Sequence, residues 1–149
     1  MPALTPEVLE FVSQANPAVM ATRGPDGSPV TVQIIYLAQD AAHILLSIAA
    51  GNSRGGRLGH MRDDPRTSIT ILGRDNWTQA VTIRGTAVEF FEDKNLALID
   101  AMTTHYFDGP YLKREPRTAV KVRIDDWTAE IDNTETFRTG PGPADQTTD

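Results

Sequence analysis

QAVTIRGTAVEFF, residues 79–91, reads as one long β-strand, and the glycine inside it says what kind of sheet the strand belongs to. Gly85 interrupts a β-branched and aromatic run, which marks a bulge or bend, the device that lets a sheet curl. Immediately upstream, TSITILG (67–73) is a second β-run, and downstream TAVKVRIDDWTAEI (118–131) is another. EDKNLALIDAMTTH (92–105) lies between the long strand and the last one. Its acidic start and the helical spacing of Leu96, Ile99 and Met102 predict a helix there.

Further from the long strand, HILLSIA (43–49) reads as β, as do AVMATR (18–23) and PVTVQIIYL (29–37), which the turn-forming GPDG separates as a hairpin loop. In the last of these, Val30, Val32, Ile34 and Tyr36 alternate with Thr31, Gln33, Ile35 and Leu37. One face is therefore fully apolar and the other carries one amide, Gln33. Thr5, Pro6 and Glu7 supply a capping hydroxyl and a first-turn proline, so a short helix is expected over 5–15. The fold class is mainly β, an antiparallel barrel of six to seven strands with peripheral helices. Residues 1–136 are read as a single domain, and the apolar-poor tail 137–149 as disordered.

The chain has 149 residues and no cysteine, which excludes Cys-based metal or nucleophile chemistry and fits a cytoplasmic protein. A net charge of -6 argues against general nucleic-acid affinity, which needs a broad basic face. No run is long and apolar enough for a membrane span, and the start has no signal-peptide pattern. Against this acidic background, residues 41–62 contain Arg54, Arg57 and Arg62 and no acid at all. A helix beginning near Ser53 would put Arg54 and Arg57 on one side, Leu58 and Met61 inward, and free N–H groups beside Asn52 and Ser53. That is the pattern of a small-anion site; the alternative is a solvated surface cluster.

The remaining candidates are few. His60, one turn beyond Arg57, either lines the anion site or lies on the surface, while His43 reads as structural. With His105 they have no metal-ligand spacing, so no metal is expected. Trp77, in the polar turn GRDNWTQ, is a candidate ligand wall, whereas Trp127 in a β-run is assigned to packing. No Ser-His-Asp or Cys-His signature is present, and no catalytic side chain is assigned.

NPAVMATRGPDGSPVTVQIIYL (16–37), ILLSIAAGNSRGGRLGHMRDDPRTSITIL (44–72) and NWTQAVTIRGTAVEF (76–90) carry three motifs in succession. These are A-T-x-x-x-D-G-x-P, a serine and basic helix ending in D-P-R, and R-G-T-A on a strand. In this order they resemble the pyridoxamine-phosphate-oxidase-like split-barrel family, and look most like its flavin- and deazaflavin-dependent oxidoreductases. The resemblance, over residues 5–131, implies a split barrel and a homodimer with the cofactor in a groove between subunits. It implies that Ser53, Arg54 and Arg57 hold the cofactor phosphate, that Ser47 faces the ring with Gln33 near it, and that Trp77 stands beside it. The sequence departs from the pattern where Arg57 replaces a common lysine and His60 a frequent asparagine, and in a longer loop before the helix.

HYFDGPYLKREP (105–116) is similar to an aromatic and Gly-Pro element that overhangs the substrate side in some deazaflavin relatives, making Tyr106 and Tyr111 substrate-pocket candidates. The implied activity is hydride transfer to a small organic substrate. The cofactor supplies the chemistry, and the protein orients it and excludes water. The extended polyanionic tail of 8-hydroxy-5-deazaflavin, coenzyme F-420, suits the arginines and the Gly-rich loop. FMN, with one terminal phosphate, is the alternative, and a non-catalytic cofactor-binding protein is the rival from another class.

Overall fold

In the computed structural model, residues 3–53 and 56–132 are described. The expected disordered tail lies outside them, and so does Arg54. The first helix, α1 (Pro6–Val12), starts as predicted, with Thr5 accepting a bond from the Val8 N–H at 3.4 Å, but ends at Ser13. The strands β1 (Ala18–Arg23) and β2 (Pro29–Ile34) form the expected hairpin, whose turn places Gly27 at φ 87°, a value that glycine adopts without strain.

The run expected as a single strand over 29–37 breaks after Ile34, and a separate β3 (Leu37–Asp40) follows. Tyr36 causes the break: its side chain is fully buried and its hydroxyl donates to the Val12 carbonyl at 2.6 Å, which pulls the chain inward at that point. Next come β4 (His43–Ala49), a 3-10 turn (Ala50–Ser53), α2 (Arg57–Asp63), β5 (Arg66–Leu72), β6 (Ala80–Glu92), α3 (Ala97–Phe107) and β7 (Arg117–Glu130).

The helix expected to begin near Ser53 begins at Arg57. Gly56 has extended backbone and caps it without a side-chain bond, as expected where glycines weaken a first turn. Leu96, expected on the apolar face of the helix over 92–105, instead precedes α3 with a left-handed φ of 56°. Asp93 is the reason, because it accepts from the N–H groups of Leu98 and Ile99 at 2.8 and 2.9 Å and fixes where the helix starts. Ile99 and Met102 are buried as predicted.

All pairings are antiparallel, and the seven strands run in the order β2-β1-β5-β6-β7-β4-β3. The two ends of this sheet, β2 and β3, are joined by only Ile35 and Tyr36, so its edges must meet. The result is a split barrel, closed covalently but with no ladder across the seam. Curling is built into β6 and β7, whose register shifts at Arg84/Gly85 and again at Ala87/Glu89. Met20, Ile44, Leu46, Ile48, Ile69, Ile71, Val81, Ile83, Val120, Val122 and Ile124 fill the interior at 2% exposure or less. Val8 and Val12 of α1 and Leu58 and Met61 of α2 join the same cluster. Ile99, Met102 and Ala119 are buried outside it, an apolar layer beneath α3.

Candidate functional site

At the seam a cavity of about 160 Å³ opens. Gln33, Ile34 and Ile35 line it from the seam, Ser47 from β4, Arg57 from the start of α2, and Tyr111 and Arg117 from the far side. Residues far apart in sequence meet because β7 pairs with β4, placing Arg117 opposite Ala49. The Arg117 side chain folds back along the strand, its Nε donating to the Ser47 hydroxyl at 2.9 Å and its Nη2 to the Ser47 carbonyl at 2.7 Å.

Ser47 in turn donates to the Asp93 carboxylate at 3.2 Å, the same carboxylate that caps α3. Arg117, Ser47, Asp93 and the start of α3 thus form one chain of bonds. Tyr111 covers Arg117, with the guanidinium carbon 5.0 Å from the ring centroid. Asp100 on α3 holds that tyrosine in place by accepting its N–H at 3.0 Å, and Arg114 clamps Asp100 with two bonds of 2.8 and 3.1 Å.

Among the ion pairs of the described residues, none includes Arg57 or Arg117. The Arg57 Nε is buried and bonded to nothing. Desolvation, and after it the charge of Arg117, lowers the Arg57 guanidinium from its ordinary basicity. Two cations share this cavity without a carboxylate, and one has an unpaired N–H, which is the charge and the donor that an anion would require.

Of the residues singled out in the sequence, Gln33, Ser47, Arg57 and Tyr111 line this cavity. The side chain of Ser53, like Arg54, lies outside the described residues. His60 is buried and its Nδ1 stands 3.0 Å from the Thr22 hydroxyl, beside a different small cavity bordered by Arg23, Asp63 and Asp64. Trp77 is 70% exposed in the β5–β6 connection and does not line the cavity. Tyr106 packs edge-on against Tyr36 and donates to the Asn16 carbonyl at 2.7 Å, a position within the core wall. Arg62, third of the basic run, stacks over the Phe90 ring at 4.6 Å, away from the cavity. Sequence reasoning missed Arg117 and Asp93, because only the β4–β7 register and the path into α3 bring them to Ser47.

The fold is shared with solved structures. An F-420 reductase superposes with a TM-score of 0.70 at 17% identity, covering 80% of this chain and 94% of its own. A conserved hypothetical protein from Mycobacterium tuberculosis gives 0.69 at 20%, covering 93% and 92%. General Stress Protein 26 from Bacillus anthracis gives 0.61 at 14%, covering 83% and 90%. No curated protein is similar enough in sequence to be matched with the chain. The family model described as pyridoxamine 5'-phosphate oxidase matches residues 4–130, nearly the whole of the folded part, and the chain belongs to that family.

Proposed function

We propose that this protein is an oxidoreductase that binds a flavin-like cofactor at the seam, with coenzyme F-420 as the preferred molecule and FMN as the second reading. The observation that carries the proposal is the pairing of Arg57 and Arg117 around one cavity with no acid to neutralise them. The unbonded, buried Arg57 Nε fits a phosphate oxygen. When bound, such a cofactor supplies two-electron hydride transfer. The chain's own part is to bind, orient and dry the site. Arg57 and Arg117 take the anionic portion, and Ser47 with Asp93 fixes the direction of Arg117. Ile34, Ile35 and Ile99 keep the cavity wall apolar, and Gln33 offers the one neutral amide among its lining groups.

Two points favour the deazaflavin. Residues 41–62 carry Arg54 as well as Arg57, more positive charge than a terminal phosphate requires, and the superposed F-420 reductase has the same fold. FMN is favoured by the small volume of the cavity, about 160 Å³, which suits one phosphate group. Titration of the purified protein decides between them. The deazaflavin is expected to bind at least about tenfold more tightly than FMN, a difference of roughly 1.4 kcal/mol. Protein that purifies yellow with stoichiometric FMN and ignores the deazaflavin would reverse the order. Protein that binds neither would remove the proposal.

A further inference from the structure

A second, larger hollow adjoins the cationic cavity. It encloses about 640 Å³ at the C-terminal end of α3, and its wall is formed chiefly by Phe107, Pro110, Tyr111 and Leu112, with Ile35 at the seam. Ile35 and Tyr111 line both hollows, so a molecule in one stands against whatever occupies the other. The volume falls in the range of small-molecule sites. Phe107, the last residue of α3, is 70% and Leu112, in the connection that follows, 89% exposed, and side by side they make an apolar patch facing water.

The loop is not loose. Asp100 takes the Tyr111 N–H, and Arg114 bonds both Asp100 and the Tyr111 carbonyl, the latter at 2.6 Å. The partition between the hollows is therefore built in advance of any ligand. Lys113 is the one charged side chain lining the groove, and its nearest carboxylate, Glu115, stands 3.8 Å away with both side chains about two-thirds exposed. Water screens a pair of that length and exposure, which leaves the ammonium free to meet another acid.

We infer that this groove binds an amphipathic organic acid, its apolar body along Phe107, Pro110 and Leu112, its carboxylate at Lys113, and its other end reaching past Tyr111 and Ile35 toward the cationic cavity. As an assignment of substrate class this rests on the oxidoreductase reading; as a binding site it stands by itself. An occupant with no charge would leave Lys113 without a role, and a second copy of the chain would cover the groove without needing its neighbourhood to the cationic cavity.

Pyrenebutyrate and its uncharged twin pyrenebutanol serve as probes, followed by fluorescence on the full chain without cofactor. Pyrenebutyrate is expected to bind more tightly than the alcohol. Lys113→Gln should reduce its affinity to that of the alcohol and leave the alcohol unchanged. Phe107→Asp with Leu112→Asp, both at exposed positions, should weaken both probes at least tenfold while the melting temperature stays within a few degrees. Equal binding by all variants would overturn the assignment. So would a change in sedimentation mass on introducing the two aspartates, which would give the groove to a second copy. Flavin and deazaflavin titrations of the same variants keep the two readings apart. Cofactor binding without probe binding rejects the groove alone, and probe binding without cofactor binding leaves the groove standing and rejects the oxidoreductase.

Discussion

Arg117 and Arg57 face the same cavity but are held differently, and substitution should separate their roles. Arg117 is fixed by two bonds to Ser47, whereas Arg57 keeps a buried, unbonded Nε. Either change to alanine should weaken cofactor binding by about ten- to a hundredfold, or roughly 1.5–3 kcal/mol for a charge-assisted contact. Both variants should also show a shallower dependence of affinity on salt, read from titrations at several ionic strengths. Arg117→Lys should recover little, because a point charge cannot reproduce the two-pronged bond to Ser47.

Two tyrosines set an alkaline limit at the same scale. Burial pushes the Tyr106 phenol up to about 12, and burial, followed by Tyr106 itself, raises Tyr36 further. A phenol whose folded pKa lies above its unfolded value of about 10 favours the folded state fully below pH 10 and loses that contribution as pH rises through the folded value. Stability, followed by urea midpoints, should therefore fall between about pH 10 and 12. Absorbance of phenolate should show Tyr36 and Tyr106 ionising late, with Tyr36→Phe and Tyr106→Phe each removing one late step.

At the scale of elements, the β6–β7 pair and the start of α3 are the vulnerable points. A Cβ placed on Gly85 would stand 2.6 Å from the Arg123 carbonyl oxygen and equally close to a Val122 methyl. The oxygen belongs to the backbone of a paired strand and cannot swing away. Gly85→Ala should therefore destabilise by about 1–3 kcal/mol, measured by denaturant unfolding. Asp93→Ala removes the acceptor for two α3 amides and for Ser47, and should cost about 1–2 kcal/mol. Asp93→Asn, whose amide oxygen can still cap, should recover part of that loss. Cofactor affinity should fall in Asp93→Ala as well, since Ser47 and through it Arg117 lose their anchor.

For the whole molecule, we propose a homodimer that completes the seam. Val19 and Gln33 stand opposite each other on β1 and β2, with Val19 40% exposed, so a partner seated on that face would reach the edge of the cavity. Light scattering should give twice 16.3 kDa at micromolar concentration, with an interface burying more than about 2,000 Å² in total. A monomeric mass in the presence of cofactor would reject the proposal. Among the described residues no helix is long and apolar enough to cross a membrane.

Local chemistry made much of this protein legible from its sequence. The β-rich run 18–23, the alternation that begins at Val30, the interior Gly85 and the spacing of Ile99 and Met102 report on hydrogen bonding and burial within a few residues, and β1, β2, the bulge and the body of α3 answer to those signals, although α3 starts at Ala97 rather than near residue 92. The basic run identified Arg57 by the absence of nearby acids, and Gln33, Ser47 and Tyr111 came from the family resemblance. Tertiary structure alone decided that the run 29–37 splits at Tyr36, because the partner that draws the tyrosine inward is the Val12 carbonyl of a helix end. It alone brought Arg117 to Ser47 and turned Arg62 away to Phe90. Strand register and barrel closure are long-range choices: a charge's neighbours across a sheet depend on how many residues each loop and bulge consumes, and no stretch of sequence records that sum locally.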